Sequence, residues 1–278
     1  MVKQLTIAIS GSTGFVGKNL RQFLADQNIP VISLSRKQHM HFKSEKNIIF
    51  SDLDDIPKMK CDALIHLIGI GAQTKDADYE LINVKQIQKI IRLCKRSHIK
   101  KIVYISGLGV SDTTTFGYFI SKLKAEQLII KSGLDYTILR SSYIIGTDDS
   151  LSKNLSKQIK QGTIRIPGSG LYRLQPIAIH DVCKVILNCV MNKKLSCQIV
   201  DLVGPRTISF ESYVKKFIKG KKVKIKKIPL EEAYFTALNN PKKIPYGIDD
   251  LNIMIGDFTS SHKKLEKLSG IKLGFPVL

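Results

Sequence analysis

A chain of 278 residues with 43% hydrophobic and 7% aromatic side chains is long enough to bury a large core and has the composition of a globular protein. No apolar run approaches the roughly 18 residues needed to cross a bilayer, and the five cysteines lack close Cys-x-x-Cys pairing, so a membrane span and a metal site are not expected and the thiols read as reduced and buried. The formal charge of +21 is extreme and weighted toward the C-terminal half, which leaves polyanions open as partners.

The first element lies in "LTIAISGSTGFVGKNL", residues 5–20. Leu5, Ile7 and Ile9 alternate with Thr6, Ala8 and Ser10, the pattern of a buried strand. Phe15, Val16, Leu20, Phe23 and Leu24 then recur at helical spacing, with Gly11, Gly14 and Gly17 between the two patterns. In a strand–turn–helix unit of this kind the first glycine lets the backbone bend, the second lets a pyrophosphate reach peptide N–H groups, and the third lets helix and strand pack closely. The positive end of the helix then faces the phosphates. A bound dinucleotide is the expectation.

Strands follow at 30–37 and 46–52, and the apolar run 61–70 suits a strand buried on both faces. A helix is predicted over 79–97, a strand over 100–106, a helix over 117–131 and a strand over 135–142. This alternation predicts an α/β protein with a doubly wound parallel sheet, the Rossmann fold. Beyond Gly146 the alternation loosens: short strands around a glycine-rich turn at 162–179, a helix at 180–192, a strand at 197–204, then helices and basic strands. The predicted organisation is a Rossmann domain over 1–203, with an insertion at about 147–175, and a small C-terminal lobe on the substrate side over 204–278.

Eight lysines crowd residues 215–227. The run has no arginine and one aromatic residue, Phe217, which is poor equipment for stacking on bases. Val223, Ile225 and Ile228 suggest instead a strand with one solvated lysine face. Nucleic acid is therefore an unfavoured but open partner through this lobe.

The second strand ends in Ser35, Arg36 and Lys37, with no carboxylate to bind a ribose 2′-hydroxyl. Arg36 and Lys37 would receive a 2′-phosphate, which favours NADP over NAD. Tyr118 and Lys122 sit four residues apart and share a helix face at the sheet edge where ligands bind in open α/β folds. A nearby ammonium and the positive nicotinamide ring are together expected to lower the pKa of the phenol so that it exchanges a proton with a carbonyl or alcohol oxygen. Ser106, just before this helix, is the candidate third member. His66 and His180 read as structural residues, in a buried strand and at a helix N-terminus.

Together "GSTGFVG", "SDLDD", "ALIHLIG", "LINVKQIQKII", "IKKIVYISGLGV", "YFISKLKAEQLIIKSGLDYTILRSSYIIG" and "QPIAIHDV" resemble the short-chain dehydrogenase/reductases of the extended or atypical type. The likeness runs from about residue 4 to 205 and points to the branch with complex I accessory-subunit-like and NmrA-like proteins and NAD-dependent epimerase/dehydratases. It implies that Thr13, Phe15 and Val16 contact the pyrophosphate, that Asp52 and Leu53 flank the adenine, and that Leu67, Ile68 and Gly69 line the cofactor cleft. Asn83 matches the family's structural asparagine, and Tyr118 and Lys122 its catalytic pair, Lys122 also bonding the nicotinamide ribose. Ser142, Tyr143 and Ile144 approach the nicotinamide, with Ser141 replacing the usual proline. Extended members carry two or three serines after the fifth strand, whereas here Ser106 is followed by Gly107, Leu108 and Gly109, so Ser111 or Thr113 to Thr115 stand as substitutes.

The implied activity is that of an NADP-preferring oxidoreductase or a nucleotide-sugar-type epimerase/dehydratase. The eroded serine segment motivates a second reading, a non-catalytic cofactor-binding subunit for redox sensing or assembly; the lysine run motivates a third, a nucleic-acid-binding protein on the same fold. The substrate is not legible. A monomer or homodimer is expected, and, with no cleavable signal ahead of the first strand, a cytoplasmic one.

Overall fold

The computed structural model describes residues 4–240 and 243–277. Residues 1–3, on which the expectation about the N-terminus rests in part, lie outside the described residues. At the centre are β1 (Ile7–Ser10), β2 (Val31–Ser35), β3 (Glu45–Ile49), β4 (Ala63–His66), β5 (Lys101–Gly107) and β6 (Asp135–Ser141). With β11 (Gln198–Leu202) they form a seven-stranded sheet ordered β3-β2-β1-β4-β5-β6-β11, parallel at every step. Parallel neighbours need long crossovers, supplied here by α1 (Phe15–Asp26), α2 (Gln86–Arg96), α3 (Gly117–Ile130) and α5 (Ile179–Met191). The strand order reverses between β1 and β4, which opens a crevice at the carboxyl end of the sheet. The predicted doubly wound parallel sheet is present.

Period-two alternation explains why helices are needed on both faces. Ile7, Ile9, Ile65, Val103, Leu139 and Val200 pack against Leu20 and Leu24 of α1 and against Val182, Val185 and Ile186 of α5. Ala8, Leu34, Leu64, Ile102, Tyr104 and Ile138 pack on the opposite face against α2 and α3, through Ile87, Ile90, Leu93, Ala125 and Ile129.

Two elements differ from the sequence pattern. The apolar run 61–70 is strand only as far as His66, because its continuation crosses the glycine loop: a Cβ on Gly11 would lie 2.8 Å from the carbonyl carbon of Leu67. The helix predicted from residue 79 opens with a π-helical segment, Glu80–Lys85, before α2 takes over. Asn83, buried within that segment, donates to Ile70 O at 3.1 Å and accepts from Ile70 N–H at 2.9 Å, so it pins the loop after β4.

Beyond β6 come β7 (Ile144–Ile145), α4 (Ser150–Lys160), β8 (Thr163–Pro167), β9 (Arg173–Leu174) and β10 (Ile177–Ala178). After β11 come β12 (Ile208–Ser209), α6 (Phe210–Phe217), β13 (Lys224–Ile228), α7 (Leu230–Asn239), α8 (Ile248–Ile255) and α9 (Lys263–Ser269). A third apolar cluster joins the two stretches: Leu155, Ile164, Ile166 and Leu174 pack with Phe210, Tyr213, Val214 and Leu251. By contrast, Leu265 of α9 and Leu273 return to the α1/α5 side of the sheet. The lysine run is solvated as expected, with β13 pairing parallel to β8 and Lys215 and Lys227 both holding Glu211, at 2.8 and 2.7 Å.

All five cysteines are free. Cys94, Cys183 and Cys189 are buried and Cys61 partly so, but Cys197 is exposed, contrary to the expectation. It occupies the left-handed turn ahead of β11, with φ +51, where its N–H donates to Asp135 at 3.2 Å. Among the described residues no helix is long and apolar enough to cross a membrane.

Candidate cofactor cleft and substrate pocket

The glycine loop is built for close approach. Gly11 has φ +75, in the left-handed region, and a Cβ on Gly17 would come within 2.3 Å of Gly11 O. The Gly14 N–H donates to Gly11 O at 3.1 Å and closes the turn, while Ser12 Oγ donates to Leu34 O at 3.0 Å and ties it to β2. As the N-cap of α1, Gly14 offers no side-chain acceptor, so the first-turn N–H groups remain available to an anion at the positive helix end.

Above this loop lies a cleft of about 440 Å³. Gly11, Gly14, Phe15, Val16 and Gly17 form one wall, and Leu67, Ile68 and Gly69 a second. Ser106, Tyr118 and Lys122 close one end, with Ser142, Tyr143 and Ile144 from the segment after β6. The glycine cradle and the uncapped helix end fit the diphosphate of a dinucleotide. Asp149, Ser150 and Leu151, not singled out in the sequence, also line it; Asp149 is buried and caps α4 through Ser152 N–H at 2.8 Å.

Five expected cofactor contacts lie outside this cleft. Exposed Thr13 lines an adjoining cleft beside Lys18 and Phe42. Asp52 instead caps a short 3₁₀ turn, Leu53–Asp55, and pairs with Lys89. The Leu53 side chain is buried in the α2/α3 core, so only its backbone is open to a ligand. Arg36 and Lys37 are exposed just after β2 and line neither cleft. No hydrogen bond or ion pair among the described residues occupies the Arg36 guanidinium.

Tyr118 lines both the large cleft and a smaller pocket beside it. Lys122 lies beneath, buried, donating to Tyr104 Oη at 3.2 Å and to Ile105 O at 3.3 Å. Its Nζ is 5.8 Å from the Tyr118 ring centre. The expected lowering of the phenol pKa is not what the chain alone produces: enclosure pushes Tyr118 up to about 12 and Lys122 down to about 8. Burial disfavours both charged forms, and a lysine whose own charge is disfavoured does not offset it.

Ser106 is buried, and its Oγ has no hydrogen-bond partner. Neither substitute segment reaches the site: Ser111 Oγ and Thr113 Oγ1 bond each other at 3.2 Å, and residues 111–115 line neither the cleft nor the pocket. Leu108 faces the pocket instead. His66 is fully buried, with Nδ1 2.7 Å from Ser10 Oγ, Nε2 without a partner and its ring stacked on Tyr104. His180 packs edge-on against Phe23 at the start of α5. Neither histidine lines the cleft or the pocket.

Residues 11–193 match the model of a protein family described as NAD(P)H-binding. The chain belongs to that family. Among relatives of this NAD(P)H-binding chain is NADH dehydrogenase [ubiquinone] 1 alpha subcomplex subunit 9 of Dictyostelium discoideum, mitochondrial, 24% identical over 78% of this chain and 64% of that protein. Another is the 4-hydroxy-2-methyl-3-oxo-4-farnesyl-3,4-dihydroquinoline-1-oxide ketoreductase of Stigmatella aurantiaca, 24% identical over 64% of this chain and 62% of that one. The chain thus spans less than two thirds of either relative's length. The fold matches that of MoeE5 in complex with UDP-glucuronic acid and NAD, with a TM-score of 0.78 and 16% identity over 98% of this chain and 94% of that one. The expected kinship with complex I accessory subunits and the epimerase-like fold is therefore present.

Proposed function

We propose that the protein binds NADP(H) and exchanges a proton between Tyr118 and a carbonyl or alcohol oxygen. The observation that carries this reading is the position of Tyr118, shared by the dinucleotide cleft and the adjoining pocket, with Lys122 buried behind it. The bound nicotinamide supplies or accepts the hydride. Its positive charge when oxidised favours the phenolate, which enclosure alone disfavours. Lys122, which lines the cleft and donates to Tyr104 Oη and Ile105 O, bonds the ribose in this reading. The preference for NADP rests on Arg36 and Lys37 and on the lack of a carboxylate at the end of β2.

A second reading, a cofactor-holding subunit without turnover, is favoured by one observation. Leu108 stands in the pocket while the Ser106 hydroxyl is buried, so the β5 segment offers no exposed hydroxyl to stabilise a substrate oxygen. The name of the Dictyostelium relative, a subunit of NADH dehydrogenase, agrees with that reading.

Titration with NADPH and NADH, followed by nucleotide fluorescence, tests the shared premise. Comparison of Tyr118→Phe with the parent protein in carbonyl reduction then separates the two readings. General acid–base catalysis contributes roughly 10²–10⁴-fold, and a drop of that order at unchanged NADPH affinity supports the enzyme.

A further inference from the structure

The pocket next to Tyr118 carries information about the substrate. Leu108 just after β5, Phe119 from α3, Ile253 from α8 and Phe258 form its apolar part, and Tyr118, Ser141, Ser142 and Tyr143 its polar side. Its volume is about 140 Å³. An apolar cavity of roughly 150 Å³ holds one benzene, whereas sites for larger organic ligands run to roughly 300–1,000 Å³.

That size is fixed by neighbouring backbone. The Phe258 ring is wedged between two glycines: a Cβ on Gly109 would lie 2.7 Å from it, and one on Gly256 only 2.1 Å. It also meets Phe119 edge-on, with ring centres 5.0 Å apart. Asp257, at φ +53, is clamped by Arg173, whose backbone N–H and guanidinium both donate to the carboxylate, the latter from Nη2 at 2.7 Å. The clamp holds the segment Gly256 to Phe258 across the pocket. It also neutralises Arg173, the one cation on the pocket wall among the described residues.

We infer that this pocket takes a compact, uncharged, largely apolar ketone or aldehyde of about one six-membered ring, and that it excludes nucleotide sugars. The inference rests on the reading of Tyr118 as the proton donor. The carbonyl oxygen faces the Tyr118 hydroxyl and the carbon skeleton lies among Leu108, Phe119, Ile253 and Phe258. A hydride from reduced nicotinamide forms the new C–H bond, the Tyr118 proton forms the O–H bond, and the products are an alcohol and the oxidised cofactor. Among the described residues no part of the wall offers an unpaired cation for a diphosphate.

Saturation-transfer NMR on the full chain, with cyclohexanone and UDP-glucuronic acid as probes, tests this without requiring turnover. Cyclohexanone should receive saturation, and Leu108→Phe and Ile253→Trp, which fill the pocket from opposite walls, should each weaken it tenfold or more at unchanged NADPH affinity. Cyclohexanone should not displace any UDP-glucuronic acid that binds. The inference is overturned if cyclohexanone does not bind, if neither filled variant weakens it, or if the two probes compete. Two variants guard against one failing to fold. Should the ketone bind as described while neither NADPH nor NADH does, the pocket assignment stands and the proposed reaction falls.

Discussion

The Lys122 ammonium donates to the Tyr104 hydroxyl at 3.2 Å and also lies 4.9 Å from the centre of the same ring. Tyr104 is thus both acceptor and aromatic platform for a cation that burial disfavours. The nearby Glu126 carboxylate opposes that burial effect, but it is itself engaged by Arg140 at 2.7 Å.

Burial brings Lys122 from 10.5 to about 8. The unfolded chain therefore binds an extra proton between about pH 8 and 10.5, and stability rises with pH across that window. Below pH 8 the folded protein carries the full penalty of a buried charge. Lys122→Met should accordingly stabilise the protein at pH 7, by about 1–3 kcal/mol after the lost hydrogen bonds are set against the shift, and the gain should shrink as pH approaches 10.5. Thermal melts at the two pH values check this. Loss of NADPH binding in the same variant would show that the penalty is retained for function.

His66 acts in the same direction in the acid range. Burial, with the Lys122 charge adding to it, lowers the imidazole from 6.5 to about 3. Its neutral form is compatible with the fold above pH 6.5, and stability is lost as pH falls from 6.5 toward 3, by up to about 1.4 kcal/mol per pH unit. Denaturant melts of His66→Gln from pH 7 to 4 should show a shallower slope than the parent. An unchanged slope would assign acid sensitivity to other groups.

Gly17 cannot gain a methyl group without moving backbone, since the new carbon would meet Gly11 O at 2.3 Å. Gly17→Ala should cost about 1–3 kcal/mol or more and abolish NADPH binding, because the displaced strand–helix turn is the cradle for the diphosphate. Gly133→Ala is the control: no atom lies within 4 Å of its Cβ position, but its φ of +78 carries a comparable backbone penalty. Calorimetry with nucleotide titration separates a lost cradle from a general loss of stability.

Arg36 is exposed and lines neither the cofactor cleft nor the one adjoining it. If its guanidinium meets a 2′-phosphate, Arg36→Ala should weaken NADPH about tenfold or more, near 1.4 kcal/mol, and leave NADH within twofold. Equal weakening of both nucleotides, or of neither, removes the basis for an NADP preference.

The sheet and the glycine turn were legible because local pattern determines them. Ile7 and Ile9 alternate with Ala8 to serve two faces, and Gly17 is demanded by backbone contacts only a few residues away, at Gly11 and Ser12. Local chemistry alone assigns Asp52 and Leu53 their structural roles: an aspartate ahead of a short turn caps it, and the leucine behind it goes into the core. The pocket wall, by contrast, was invisible. Ile253 and Phe258 reach Leu108 and Phe119 from more than 130 residues away, and no periodicity links them. A hint lay in Gly256-Asp257-Phe258, where a glycine and an aspartate allow the backbone to reverse before an aromatic ring.

The third apolar cluster, shared by residues 145–174 and 208–254, has a mechanical consequence. The chain leaves the sheet after β6, returns for α5 and β11, leaves again for α6 to α8, and comes back with α9. A body stitched to its support at each passage does not swing open on one hinge. A fragment cut out at residue 204 would therefore carry away only half of the apolar interior it needs to stay folded.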